Sequence, residues 1–87
     1  MGKRERFIRL FEASQIGGTR IEIINDRRIS VEGCYGVQEY TQEIIKINMP
    51  KGTLLIMGMD MEICLMQTRG ITIEGKINSV EFEGGAV

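Results

Sequence analysis

Eighty-seven residues make one domain with a thin core, because a chain of this size buries only about 60–65% of its unfolded surface. A net charge of −1, with 26% charged and 43% hydrophobic residues, gives no overall attraction to nucleic acid. Histidine is absent, which removes the usual proton carrier near neutral pH and the commonest metal ligand.

Two cysteines, Cys34 and Cys64, lie far apart and form no C-x-x-C, so no zinc site is expected. No apolar run follows the basic N-terminus, so no secretory signal is expected, and a reduced, cytoplasmic setting fits the unpaired cysteines.

The first segment, "KRERFIRLFEAS" over residues 3–14, predicts a short amphipathic helix. Phe7, Ile8, Leu10 and Phe11 gather on one side, and Gly17-Gly18 ends it. Lys3, Arg4, Arg6 and Arg9 against Glu5 and Glu12 leave it basic. Such a helix packs on its own domain or lies on anionic lipid as a peripheral membrane contact. The chain thus divides into residues 1–18, helix and Gly-Gly linker, and a single β-domain over 19–87.

From Arg20 the period becomes two. "RIEIIN", "RISVEG", "EIIKIN", "GITIEG" and "SVEFE" each set apolar residues against polar ones, the signature of half-buried antiparallel strands. Turn signals separate them at Asn25-Asp26, Gly33 to Gly36, Met49 to Gly52, Gly58 to Asp60, Arg69-Gly70 and Gly75-Lys76. The spacings leave no room for crossover helices. The expected fold is mainly β: an antiparallel meander of about 7–8 short strands, rolled into a small sandwich or barrel-like sheet, with one N-terminal helix. A short β-solenoid is the alternative, since "ISVEG", "LLIMG" and "ITIEG" echo one another, although at an uneven period.

The segment "LLIMGMDMEICLM", residues 54–66, needs its own account. It is too short and too interrupted by Asp60 and Glu62 to span a bilayer. Met57, Met59, Met61 and Cys64 offer soft sulfurs of the kind that bind Cu(I), but a turn at Gly58 to Asp60 would point them apart, so no metal site is assigned. With that turn the segment is a hairpin, Thr53–Met57 against Met61–Met66. Its first arm is apolar on both faces, and such a strand needs cover on both. Flexible methionines suit a surface that fits an imperfect partner. The candidate interaction residues, covering or covered, are Leu55, Met57, Ile63, Leu65, Phe7 and Phe11.

No catalytic residues are expected. Cys34 sits in the glycine-flanked turn "EGCYG", where a thiol can be exposed, but with nothing basic immediately beside it. Glu32, Glu39 and Glu43 read as a solvated strand edge, and Arg20, Arg27 and Arg28 as solvated charge near a hairpin. The glycines form no phosphate-binding loop, and five aromatics make no stacking platform for nucleic acid. Neither a cofactor nor nucleic-acid binding is therefore expected.

The ordered strand pattern over residues 20–82 resembles the YabP/YqfC family of endospore-formation proteins, closer to the YqfC branch. The stretches "RIEII", "ISVEGCYGV", "EIIKINMPKGTLLIMG" and "GITIEGKINSVEF" carry the resemblance. Arg20 and Ile21 match its R-I start, and Glu32 and Gly36 its E-x-x-x-G. Leu54, Ile56 and Gly58, after the turn glycine Gly52, match its L-x-I-x-G. Ile71, Ile73, Gly75, Ile77, Val80 and Phe82 match its closing motif. The chain departs from the family at Gly33-Cys34-Tyr35, where relatives often have Asn-His-Arg, and at Gly18-Thr19, where a Leu-Pro pair is common. The resemblance implies a role in sporulation, made in the mother cell of a spore former, and implies no catalytic residue. The expected function is a non-enzymatic assembly or adaptor module that contacts other sporulation proteins or itself as a homo-oligomer. The alternatives are a membrane-surface adaptor recruited through residues 3–14 and a Cu(I)-binding module.

Overall fold

The computed structural model describes residues 3–7, 13–16 and 18–84, the first two stretches by their backbone path and pairing. Eight strands follow in order: β1 (Lys3–Phe7), β2 (Ala13–Ile16), β3 (Thr19–Ile24), β4 (Arg28–Glu32), β5 (Gly36–Tyr40), β6 (Ile44–Met49), β7 (Gly52–Met66) and β8 (Gly70–Gly84). The sheet order is β2-β3-β4-β8-β7-β6-β5, and β1 also pairs with β8. Every pairing is antiparallel. That replaces the solenoid alternative, and no pairing among the described strands closes the sheet into a barrel.

Period-two alternation builds the core. In one half of the sheet two apolar rows cross the strands, Ile21–Val31–Ile71 and Ile23–Ile29–Ile73. In the other half the rows are Ile47–Leu54–Phe82 and Ile45–Ile56–Val80. All these side chains are buried and belong to one cluster, with Val37 and Ile63 packed against it. Burying each aliphatic side chain contributes about 1.5–3 kcal/mol, so these rows supply most of the drive to fold.

One hairpin joins the two halves. Strands β7 and β8 are 15 residues each, far beyond the usual 5–6, and pair with each other along most of their length. On the β8 side, β4 occupies the first half and β1 the second. On the β7 side, β6 covers only Gly52–Met57. The long hairpin kinks in its middle, where the register shifts between Met57 and Gly58 and again between Met59 and Glu62. Bulges of this kind bend a strand without ending it.

The expected reversal at Gly58 is therefore corrected: Gly58 to Asp60 lies inside one continuous strand. Asp60 does take the left-handed conformation a turn would need, with φ 52°, but it serves a bulge. Gly58 is required for a different reason. A Cβ there would lie 2.0 Å from the Lys76 carbonyl oxygen, and a Cβ on Gly75 would lie 2.7 Å from the Asp60 carbonyl oxygen. The two glycines let the bent strands pass closely. Two loops brace the bend. Gly58 and Met61 N–H donate to the Glu43 and Gln42 carbonyls at 3.1 and 2.9 Å, and Gly75 and Ile77 N–H donate to those of Arg27 and Asp26 at 3.0 and 2.8 Å.

The helix expected over 3–14 is corrected where its residues are described, and residues 8–12 of it lie outside the described residues. Lys3–Phe7 runs as a strand along β8, and Ala13–Ile16 as a strand along β3. "KRERF" fits a strand as well as a helix, because its residues alternate: the register sets Arg4 opposite Glu83 and Arg6 opposite Glu81. Opposite charges at facing positions favour a pair of strands by about 0.2–1 kcal/mol. Phe11 lies outside the described residues.

Gly58→Ala and Gly75→Ala are each expected to destabilise the fold by roughly 1–3 kcal/mol through overpacking at the bend, read as a lower urea midpoint. The exposed Thr68→Ala serves as reference and is expected to stay within about 0.5 kcal/mol. Equal midpoints for all three would remove the bend's dependence on these glycines.

Candidate interaction surface

Of the six residues singled out from sequence, Leu55, Met57, Ile63 and Leu65 fall in two separate parts of β7, and Phe11 lies outside the described residues. Leu55 and Met57 are half-buried in the middle of the sheet, Leu55 between Lys46 and Glu81, Met57 between Ile44 and Ser79. Ile63 and Leu65 lie beyond the bend, in the half of β7 that β6 does not reach. Phe7 stands opposite Val80 in the register.

That distal half of β7 has β8 on one side only. On the other side the Ile63 N–H donates to the Tyr40 phenol oxygen at 3.0 Å. Past that bond, no described residue pairs with Cys64–Met66 on the outer edge. Side chains that point to either face are therefore left in solvent: Leu65 is 51% and Met66 58% exposed. Tyr40, 49% exposed, flanks them. At the same end Tyr35 is 63% exposed, and the Arg69 guanidinium lies over its ring, 5.4 Å from the centroid. Gly33 N–H donates to the Arg69 carbonyl at 2.7 Å, which ties the β4–β5 connection to the β7–β8 turn. Tyr35, Tyr40, Met66 and Arg69 were not legible as a surface. The available signal was the length mismatch between β6 and the apolar segment after it, hidden while Gly58 was read as a reversal.

The sulfurs do not converge. Met61 is fully buried and Met59 is 52% exposed, and the Met61 sulfur lies 3.0 Å from where a Gly58 Cβ would be, filling the space the glycine leaves. Among the described residues no group of three or more Cys, Asp and Glu is placed to hold a metal ion. The carboxylates also stay apart: Glu32 faces Arg20 across the β3–β4 pair, and Glu39 pairs with Lys46 at 3.5 Å. In the basic cluster, Arg28 Nε donates to Glu74 at 3.1 Å. That exposed pair walls a hollow of about 410 Å³ at the β3–β4 tip, where its charges offset each other.

The cysteines differ sharply. Cys64 is exposed, its thiol 3.5 Å from the Thr72 carbonyl. Cys34 is buried within the core cluster, although its turn sequence suggested an accessible thiol. Burial pushes its pKa above the ordinary 9.0, against smaller lowering effects of backbone hydrogen bonds and Arg69. A buried, neutral thiol is a poor nucleophile.

With this geometry in place, the comparison with family models is decisive: residues 17–87 match the model of the YabP family. The chain belongs to the YabP family. The match is to the family as a whole, and comparison with curated proteins and with solved structures gives no significant match. Membership of the YabP family points to a sporulation-related role. Among the described residues of this YabP-family chain, no helix is long and apolar enough to cross a membrane.

In native protein a thiol reagent is expected to modify Cys64 quickly and Cys34 only on unfolding. A thiol whose pKa is raised by folding is kept protonated by the native state. Its contribution is complete below the unfolded value of about 8.5–9 and is lost as pH rises through the higher folded value. Cys34→Ala should therefore flatten the alkaline fall in stability relative to wild type, measured as urea midpoints between neutral and alkaline pH. Two equally fast thiols, or parallel pH profiles, would contradict the buried placement.

Proposed function

We propose that this YabP-family protein is a non-enzymatic assembly module of spore formation that works through contacts of its β-domain. The observation that carries the reading is the distal end of β7: three successive residues, Cys64, Leu65 and Met66, exposed on a strand that has no neighbour on its outer edge among the described residues. Free, apolar strand edges are what proteins normally cover or guard with charge, and they are a standard route by which one chain adds to another. The remaining outer surface supports the same reading. Two of its cations stand in offsetting pairs, Arg28 with Glu74 and Lys46 with Glu39, and among the described residues no group of three or more Cys, Asp and Glu is placed to hold a metal ion. The basic N-terminal stretch that motivated a membrane-surface alternative contributes β1 to the sheet, which favours the β-domain as the acting part.

The test is genetic complementation in a spore former that carries the gene. Loss of the gene should cut the yield of heat-resistant spores sharply. Wild-type protein should restore it, and the double variant Leu65→Asp/Met66→Asp should not, while remaining at normal abundance and folded by far-UV circular dichroism. Full restoration by the folded double variant would overturn a role for this surface in assembly.

A further inference from the structure

We propose that the distal end of β7 docks a second copy of the same chain, with the two β7 ends lying antiparallel about a two-fold axis. The inference rests on the contact-driven reading above and names its occupant. Its basis is the way charge is distributed along the free edge. The end nearest the bend is acidic: Asp60 and Glu62 are exposed on β7. Glu43, also exposed, sits beside them because its carbonyl accepts the Gly58 N–H. The middle, Ile63 to Met66, is apolar. The far end carries exposed Arg69, held over Tyr35. The nearby cation Lys76 stands opposite Met59 on β8, so it lies on the inner side of β7, away from this edge.

A segment that runs from acidic through apolar to basic is complementary to itself when reversed. Antiparallel placement about a two-fold axis sets the acidic end of each copy against the Arg69 end of the other, so the favourable contact occurs twice. Leu65 and Met66 of the two copies meet between those ends. A partner strand placed parallel would instead oppose acid to acid. The polarity thus selects both the occupant and its direction. The register shift between Ile63 and Leu65 makes the outer edge uneven, and the Tyr40 phenol already takes the Ile63 N–H. Side chains therefore carry the contact more than a long hydrogen-bonded ladder does. The exposed end is small beside the roughly 800 Å² per partner of a stable complex. Dimerisation is accordingly expected to be reversible and concentration-dependent.

Sedimentation of the purified chain over a wide concentration range tests this. The mass should rise from 9.8 kDa toward twice that value. Leu65→Asp/Met66→Asp should raise the dimer dissociation constant more than about tenfold, as expected for a central apolar contact. Arg69→Glu alone, or Glu43→Lys with Glu62→Lys, should raise it by about fivefold or more, since two surface ion pairs are lost each time. Combining all three reversals should bring it back to within about threefold of wild type. Only a reversed self-pairing predicts that rescue. A monomer at every concentration, a dimer unaffected by the folded Leu65→Asp/Met66→Asp variant, or reversals that fail to rescue would each overturn the proposal. Monomeric protein whose double variant still fails to support sporulation would remove self-docking and keep the assembly reading, with a different protein on the same surface.

Discussion

Everything in this fold hangs on the close passage of β7 and β8 at their bend. Gly58 and Gly75 sit where the backbones come too near for a Cβ, and the register slips by bulges on either side. Because of that kink, two apolar rows from each half of the sheet meet in a single cluster. Without it, each half would be a flat sheet with one apolar face in water, and the described residues hold no other element with which to cover it. The loops at 26–27 and 42–43 reinforce the kink, their carbonyls accepting hydrogen bonds from its N–H groups, so the two short hairpins stabilise the place that brings them together.

The same kink explains the exposed surface. Strand β6 follows β7 only as far as Met57. Beyond the bend β7 continues for nine residues, and over Cys64–Met66 β8 is its one partner among the described strands. An apolar strand end of this kind costs the isolated domain little in folding free energy but leaves oily surface in water. On the assembly reading proposed above, that end is where a sporulation-related role would be exercised by contact. The Arg69–Tyr35 stack at its far end fixes a cation beside the apolar residues, which gives the surface a direction as well as greasiness.

Much of the fold was legible because alternation is a local property. "RIEII", "RISVE", "EIIKIN" and "GITIEG" each announced which residues face inward, and Ile21, Ile29, Ile45 and Ile73 are indeed fully buried. Two elements were misread for physical reasons. Gly58-Met59-Asp60 carries turn chemistry, and a reversal and a bulge ask for the same residues; what decides between them is the long-range partner Lys76, eighteen positions on. "KRERF" satisfies a helical and an extended pattern together over so few residues, and its pairing with the end of β8 lies almost eighty residues away. The site suffered from the first error. Ile63 and Leu65 were singled out as apolar residues needing cover, and of these Ile63 packs against the core while Leu65 is exposed; Met66 and Tyr40 became visible only once β7 was seen to outrun its neighbour. Cys34 looked accessible because glycines flank it, yet its turn crosses the core's edge with the thiol inward.

Chain order at this hub has a kinetic consequence. Strands β1 to β6 leave the ribosome first, as hairpins with little independent stability, and the surfaces that β1 and β4 need belong to residues 70–84, among the last described. Vectorial synthesis therefore delivers a sticky, half-paired nascent chain whose cooperative collapse waits for the final hairpin to zip up around its short turn.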